Sequence, residues 1–368
     1  MSTNTLLLAT RKGLFVVENT LTQASFAGPH FAGEPLSFVL VDPRQGDWYA
    51  ALRLGHFGIK LKKSTDRGAH WSDIAAPSFP AKPVDGPLAS DTTPWSVDTI
   101  WCLTAGGKDQ PEVLWAGCIP AGLFRSADGG RSWHLIESLW QDERRLKWFG
   151  GGYDQAGIHS ILVDPVDSDH ITVAVSCGGV WQSFDSGKHW TLIGQGQTAN
   201  YVPEEMAAEL NSQDPHSISF CLAAPKVMWM QHHCGMFRSE NAGVDWQALT
   251  APSGFGVGFG FAVAADPHNP ARAWYVPAVS DTHRYAVDGA LCVLRTNDAG
   301  QTFEVLRAGL PQHQAWQLVY RHALAVSRDG QSLALASTTG SAWVSSDGGD
   351  QWFAVPAHFP PVSALCWV

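Results

Sequence analysis

Hydrolysis of a glycosidic bond asks for two opposed carboxyl groups, about 5–5.5 Å apart for retention and about 6.5–9.5 Å for inversion. Outside its apolar runs the chain offers such acids at Glu34, Asp98, Asp154, Glu204, Glu205, Asp214 and Asp281. Asp281 is the first candidate for catalysis, because His283 and Arg284 lie beside it in sequence. Glu204 and Glu205 follow Pro203 and also fit the first turn of a short helix. Cations and imidazoles collect in similar segments, at Arg11, Lys12, Arg53, His56, His232, His233, His283 and Arg284, and these are candidates for binding something polar. His159 and His216 each open an apolar run as His-Ser-Ile and join that candidate set. A metal needs three or four converging ligands. No His-x-x-x-His or mixed Cys/His spacing supplies them, so the histidines are expected to be satisfied by their neighbours, with no metal and no cofactor. Sugars pack on flat aromatic faces beside polar forks. Trp140, Trp148, Phe149 and Tyr153 around Gly150-Gly151-Gly152 offer such faces, and Trp95, Phe255 and Trp316 add to them, unless these rings only pin loops onto sheets.

The elements that must position these groups are announced by a repeat. Six octets share one pattern, Ser/Thr-x-Asp/Asn-x-Gly-x-x-Trp/Phe, centred on Asp66, Asp128, Asp185, Asn241, Asp298 and Asp347. They recur about every 50 to 60 residues, a period suited to one four-stranded blade each. The hydroxyl and carboxylate bond to nearby backbone, the glycine supplies a positive φ, and the closing aromatic packs between sheets. Asn241 stands where the others have Asp, so the turn needs an acceptor more than a charge. The acids of the octets are therefore structural.

Around the third octet, short apolar runs at 158–165, 171–176, 179–183 and 190–193 read as the four strands of one blade. Equivalent blades are expected near 36–76, 97–137, 216–250, 259–307 and 318–355. Residues 6–10 and 13–17 match second and third strands without a first, and 362–368 is a first strand without successors. Joining them removes two open edges. The expectation is an all-β, seven-bladed β-propeller with the C-terminal strand completing the first blade, a single domain of residues 1–368. Ligands of propellers gather at the end opposite the octets. That end would carry the turns 10–13, 53–58, 118–122, 176–179, 231–235, 279–290 and 337–340, and the long connections 77–96, 138–158 and 194–215.

Bulk composition narrows the partners. With 17 Trp, 36 Gly and only 16% charged residues, the chain is suited to many short aromatic strands. A net charge of −10 without a basic run argues against nucleic acid. No apolar stretch approaches the roughly 20 residues of a membrane span, so no membrane is expected. Seven cysteines, an odd number without Cys-x-x-Cys, fit reduced buried thiols. Residues 1–20 contain no long apolar segment before a cleavage site, and a cytoplasmic location is expected, or a secreted or periplasmic one if a signal peptide has been removed.

The six octets resemble those of the BNR/Asp-box superfamily, which includes sialidases, other propeller glycosidases, sortilin-type receptor domains and photosystem stability factors. With segments such as Ala9-Thr-Arg-Lys-Gly-Leu-Phe15 and Gly55-His-Phe-Gly58, the chain looks like bacterial members labelled glycosyl hydrolases. The resemblance implies a propeller that acts on or binds a carbohydrate at the mouth of its channel. It equally accommodates a non-catalytic scaffold that binds a protein or a glycan. A sialidase would carry an early Phe/Tyr-Arg-Ile-Pro segment. Here the nearest echoes are Thr10-Arg11-Lys12-Gly13 and Cys118-Ile119-Pro120, so sialidase activity is disfavoured and no sialidase residue is carried over.

Overall fold

The computed structural model describes residues 5–18, 20 and 24–368. Its strands form seven antiparallel sheets of four, giving an all-β seven-bladed propeller. Blade 1 comprises Leu36–Val41, Trp48–Arg53, Ile59–Ser64 and Ser72–Ile74. Blade 2 comprises Thr99–Ala105, Leu114–Ile119, Leu123–Ser126 and His134–Leu135, and blade 3 Ile158–Val163, Ile171–Val175, Gly179–Ser183 and Thr191–Ile193. Blade 4 is built from Pro215–Cys221, Ala224–His232, Gly235–Ser239 and Gln247–Ala248. Blade 5 has Gly260–Ala265, Ala273–Pro277, Val293–Thr296 and Glu304–Leu306, and blade 6 Leu324–Val326, Leu333–Ala336, Ala342–Ser345 and Phe353–Ala354.

Blade 7 joins the last strand to the first, as the unpaired terminal runs predict. Val362–Trp367 pairs with Leu6–Thr10, Leu6 opposite Trp367 and Leu8 opposite Leu365, and Gly13–Glu18 and Ser25–His30 follow. Among the described residues no helix is long and apolar enough to cross a membrane. Two compact units can be distinguished: residues 1–39, 195–197 and 216–368 in the first, and 40–194 and 198–215 in the second.

Second strands such as Ile171–Val175, Ala273–Pro277 and Leu333–Ala336 are buried at every position, which is why they read as unbroken apolar runs rather than alternating ones. Fourth strands such as Gln247–Ala248 and Phe353–Ala354 are exposed and short. In the first unit, Trp274, Leu291, Leu335, Trp343 and Trp352 share one core cluster, and Leu6, Leu8, Val344 and Phe359 share another. In the second, Trp115, Phe124 and Trp181 are fully buried.

Each octet is the turn that joins a third strand to a fourth. Ser64 Oγ accepts the Gly68 amide at 2.8 Å and donates to Asp66 Oδ1, which also accepts the His70 amide at 2.8 Å. The glycine has φ +88°, and the five equivalent glycines lie between +82° and +100°, where a side chain is disfavoured. In the fourth octet, Asn241 Oδ1 takes the same two donors, from Ser239 Oγ and the Asp245 amide, while its Nδ2 donates to the Asp245 carboxylate. The acceptor geometry is kept without the charge.

A second regularity lies in the first strands. Their pairing skips one residue at Trp101, His159 and Phe261, a β-bulge that turns the skipped side chain toward the next blade. His159 Nε2 donates to the Pro215 carbonyl at 2.7 Å, and His216 Nδ1 donates to the Gly260 carbonyl at 2.7 Å. Ser363 Oγ donates likewise to the Leu36 carbonyl at 2.8 Å. Neighbouring blades are thus strapped at corresponding heights.

Candidate functional site

In an antiparallel blade the octet turns and the turns between second and third strands lie at opposite ends. The connections from one blade to the next share the latter end. In the first unit this end gathers the connection 249–259, the turn 278–292 and the connection 307–323. Together they enclose a cleft of about 540 Å³ lined by residues including Phe255, Val257, Phe259, Tyr285, Asp288, Gln314 and Trp316.

The local sequence explains each wall. Gly254-Phe-Gly-Val-Gly-Phe-Gly260 alternates rings and branched groups with glycines, three of them at positive φ, so the segment folds back tightly enough to present Phe255 and Val257. Beneath it Gly235 is obligatory, because a Cβ there would meet the Val257 carbonyl at 2.7 Å. The Ala315 amide donates to the Gly289 carbonyl at 2.9 Å and ties the other two walls together. Either side of this bond, Asp288 and Gln314 hold φ values of +57° and +52°. Tyr285 and Trp316 face each other with centroids 5.1 Å apart at an interplanar angle of 57°, and Trp316 remains 57% exposed. Its Nε1 donates to Gln314 Oε1 at 3.3 Å.

Phe259 carries the cleft into a second cluster. Its ring lies 5.3 Å from Phe261, on which His216 stacks at 4.6 Å, and 5.6 Å from the His233 ring. His233 Nε2 lies 3.8 Å from Asp281 Oδ2. Arg284 Nε donates to the Asp281 carbonyl at 2.7 Å, and His283 packs its Nδ1 against Thr282 Oγ1 at 3.0 Å. Of the sequence candidates, then, His216, His233, Asp281, His283 and Arg284 come together in one region. Asp281 is nearly half exposed and accepts the Thr282 amide.

The remaining candidates are engaged as follows. Arg11 and Lys12 are exposed in the tight turn of blade 7, where Thr10 Oγ1 accepts the Lys12 amide. Glu34 is exposed just beyond that blade. His232 is fully buried and accepts the Cys234 amide at Nδ1, so it holds its own hairpin. In the second unit, Arg53 pairs with Asp98 at 2.8 Å, and the His56 ring lies tilted against the exposed Phe57 with centroids 3.9 Å apart. His159 is spent on its strap to Pro215 and a contact with Ser160. Asp214 accepts from Ser176 Oγ and the Cys177 amide, each at 3.2 Å. Glu204 and Glu205 begin a short 3-10 helix, and Asp154 is exposed.

The aromatic connection 138–158 is pinned rather than slack. Trp140 is 2% exposed, 4.5 Å from Phe79 and 4.0 Å beneath the Arg145 guanidinium. Arg145 in turn forms a buried pair with Asp91 at 2.6 Å. Burial opposes ionisation of Asp91, but the Thr93 amide and Arg145 outweigh it and hold the carboxyl below its usual range. Trp148 Nε1 donates to Asn211 Oδ1 and its half-buried ring abuts Trp181, which leaves Phe149 and Tyr153 as the exposed rings.

Sequence reading named Phe255 and Trp316 but not Tyr285, Asp288 or Gln314, nor the connections 249–259 and 307–323 as walls. The glycine alternation from 254 to 260 is the signal that would have marked the first of these.

No family model matches the chain, and no curated protein matches it. Among solved structures it is similar to an ancestral GH74 enzyme, at 15% identity over 90% of this chain and 38% of that one, with a TM-score of 0.60. It is similar also to YCF48 from Cyanidioschyzon merolae, at 13% identity over 89% of this chain and 87% of that one, with a TM-score of 0.54. A YCF48 bound to D1 peptide matches at 14% identity over 88% and 83% of the two chains, with a TM-score of 0.50. The chain therefore spans 38% of the GH74 enzyme it resembles. At these identities the likeness shows the fold: a seven-bladed β-propeller of the architecture shared by GH74 and YCF48 proteins.

Proposed function

We propose that residues 1–368 form a single BNR-type propeller domain that binds a carbohydrate in the cleft walled by Tyr285 and Trp316. The observation that carries this reading is an indole left 57% exposed inside a concave site, tilted against a tyrosine and flanked by an amide and a carboxylate. A pyranose offers an apolar C–H face to such rings and hydroxyls to Gln314 and Asp288. Large exposed aromatic surface in a cleft is retained where it meets a partner. Asp288 is the one carboxylate among the described residues lining the cleft. Two-carboxylate hydrolysis needs a pair, so binding is the function this cleft supports.

A glycan array probed with the wild type and with Trp316→Ala tests the reading. Retained binding is expected to fall about tenfold or more in the variant, in line with the loss of an aromatic anchor. Absence of glycan binding, or binding indifferent to Trp316, overturns it. A panel of chromogenic glycosides run in parallel covers catalysis. Turnover that Asp281→Asn abolishes would replace binding by hydrolysis, with Asp281 as its acid.

A further inference from the structure

The walls of the cleft hold one formal charge, and it is negative. Asp288 is exposed there, and among the described residues lining the cleft no lysine, arginine or histidine stands with it. Among the described residues, none donates a hydrogen bond to its carboxylate or pairs with it. The guanidinium groups of adjoining segments are engaged elsewhere. Arg307 Nη1 donates to the Ala290 carbonyl at 3.4 Å and to Gln312 Oε1 at 3.1 Å. Arg284 Nε donates to the Asp281 carbonyl, and its Cζ lies 5.5 Å from the Phe261 centroid. The Asp288 backbone is fixed on its C-terminal side, where the Ala290 amide donates to the Val287 carbonyl at 3.0 Å and the Ala315 amide to the Gly289 carbonyl at 2.9 Å. The second of these bonds ties it to the wall that carries Gln314 and Trp316.

The rings act in the same sense as the carboxylate. Phe255, Phe259, Tyr285 and Trp316 line the cleft together with Asp288. An aromatic face presents negative charge to a cation lying over it. Tyr285 and Trp316 stand at 57° to each other, so they form a corner rather than a stack, and Trp316 is open to solvent. A cation entering the cleft meets ring faces and one unpaired counter-charge, in a chain that carries −10 overall. A neutral sugar gains hydroxyl bonds from Asp288. An amine in place of one hydroxyl gains a bond in which both partners are ionised, which is the stronger kind. An acidic sugar is repelled.

We propose that the cleft takes a carbohydrate with a free amine, a hexosamine unit whose ammonium is held by the Asp288 carboxylate while its ring lies on Trp316. The inference rests on the carbohydrate reading of the cleft and names the sugar class.

The test is an array of short hexosamine oligosaccharides printed as free amines, each beside its N-acetyl form and beside the neutral hexose oligomer of the same linkage and length. Acetylation removes the charge and keeps the sugar ring. At least one amine form is expected to bind about tenfold or more tightly than both partners, with a preference that shrinks as salt rises. Asp288→Asn should erase that preference, and asparagine tolerates the φ of +57° at this position. Trp316→Ala should weaken all three forms. Equal or better binding of the acetylated or neutral form, still lost in Trp316→Ala, overturns the amine assignment while leaving the cleft as a carbohydrate site. A preference that survives Asp288→Asn also overturns it. Amine binding indifferent to Trp316→Ala would be attraction to the acidic surface at large, and overturns it too. No binding on any spot removes the carbohydrate reading and this inference with it.

Discussion

At each octet one hydroxyl takes the glycine amide four residues on, and one side-chain carbonyl or carboxylate oxygen takes the next turn's amide. The aspartates so engaged are held ionised by their donors. Asp66 is brought down to about 2 by the His70 amide and ring, and Asp298 to about 2 by the Thr302 hydroxyl and amide. Asp128 and Asp185 are lowered further, by the Ser132 hydroxyl and by His189 respectively. Folded pKa values below the unfolded one mean that this stabilisation is complete above the ordinary carboxylate range and is lost as pH falls through the folded values. A thermal melt followed from pH 6 to 2 should therefore hold until about pH 4 and then drop steeply. Replacing Asp66 and Asp298 by Asn, as the fourth octet already does with Asn241, should make that drop shallower. A curve of unchanged slope would show that other carboxylates set the acid limit.

Among the elements, the long connections divide by what their rings do. Trp140 is enclosed by Phe79, Trp95 and Arg145, whereas Trp316 stands open in its cleft. Trp140→Ala should cost about 3–5 kcal/mol of stability, the usual price of a buried aromatic, and leave glycan binding per folded molecule as it was. Trp316→Ala should do the reverse. Chemical denaturation beside the array separates them, and a Trp140 variant as stable as the wild type would mean that its loop is held by other contacts. Both rings stand in long connections between strands, so the sequence alone made them equals. Their difference arises from neighbours far off in sequence, Phe79 and Trp95 for the one and Tyr285 for the other.

For the whole molecule the decisive joint is the pairing of Val362–Trp367 with Leu6–Thr10, a strand buried at all five positions. Deleting 362–368 would uncover that strand's edge and the apolar cluster around Leu6, Leu8 and Phe359. The melting temperature should fall by many degrees, with a broader transition and a tendency to aggregate. A melt unmoved by the deletion would mean that the blade does not depend on its borrowed strand.

The octets and the strand that completes blade 7 were legible in the chain because each is a local code: hydroxyl, acceptor, glycine and aromatic within eight residues, and an apolar run missing its partners. The histidines at 159 and 216 were legible as equivalent, and correctly so, but their duty as straps was not. It depends on a bulge and on a carbonyl in the following blade. The cleft was visible only in fragments. Phe255 and Trp316 could be named as exposed-ring candidates, and the turn 279–290 as a site segment, but their meeting with Tyr285, Asp288 and Gln314 could not. Those residues come from three separate connections, and two of them depend on backbone angles that no side-chain type announces. Local hydrogen bonding fixed what repeats in this protein. Packing between distant segments decided where it can hold a ligand.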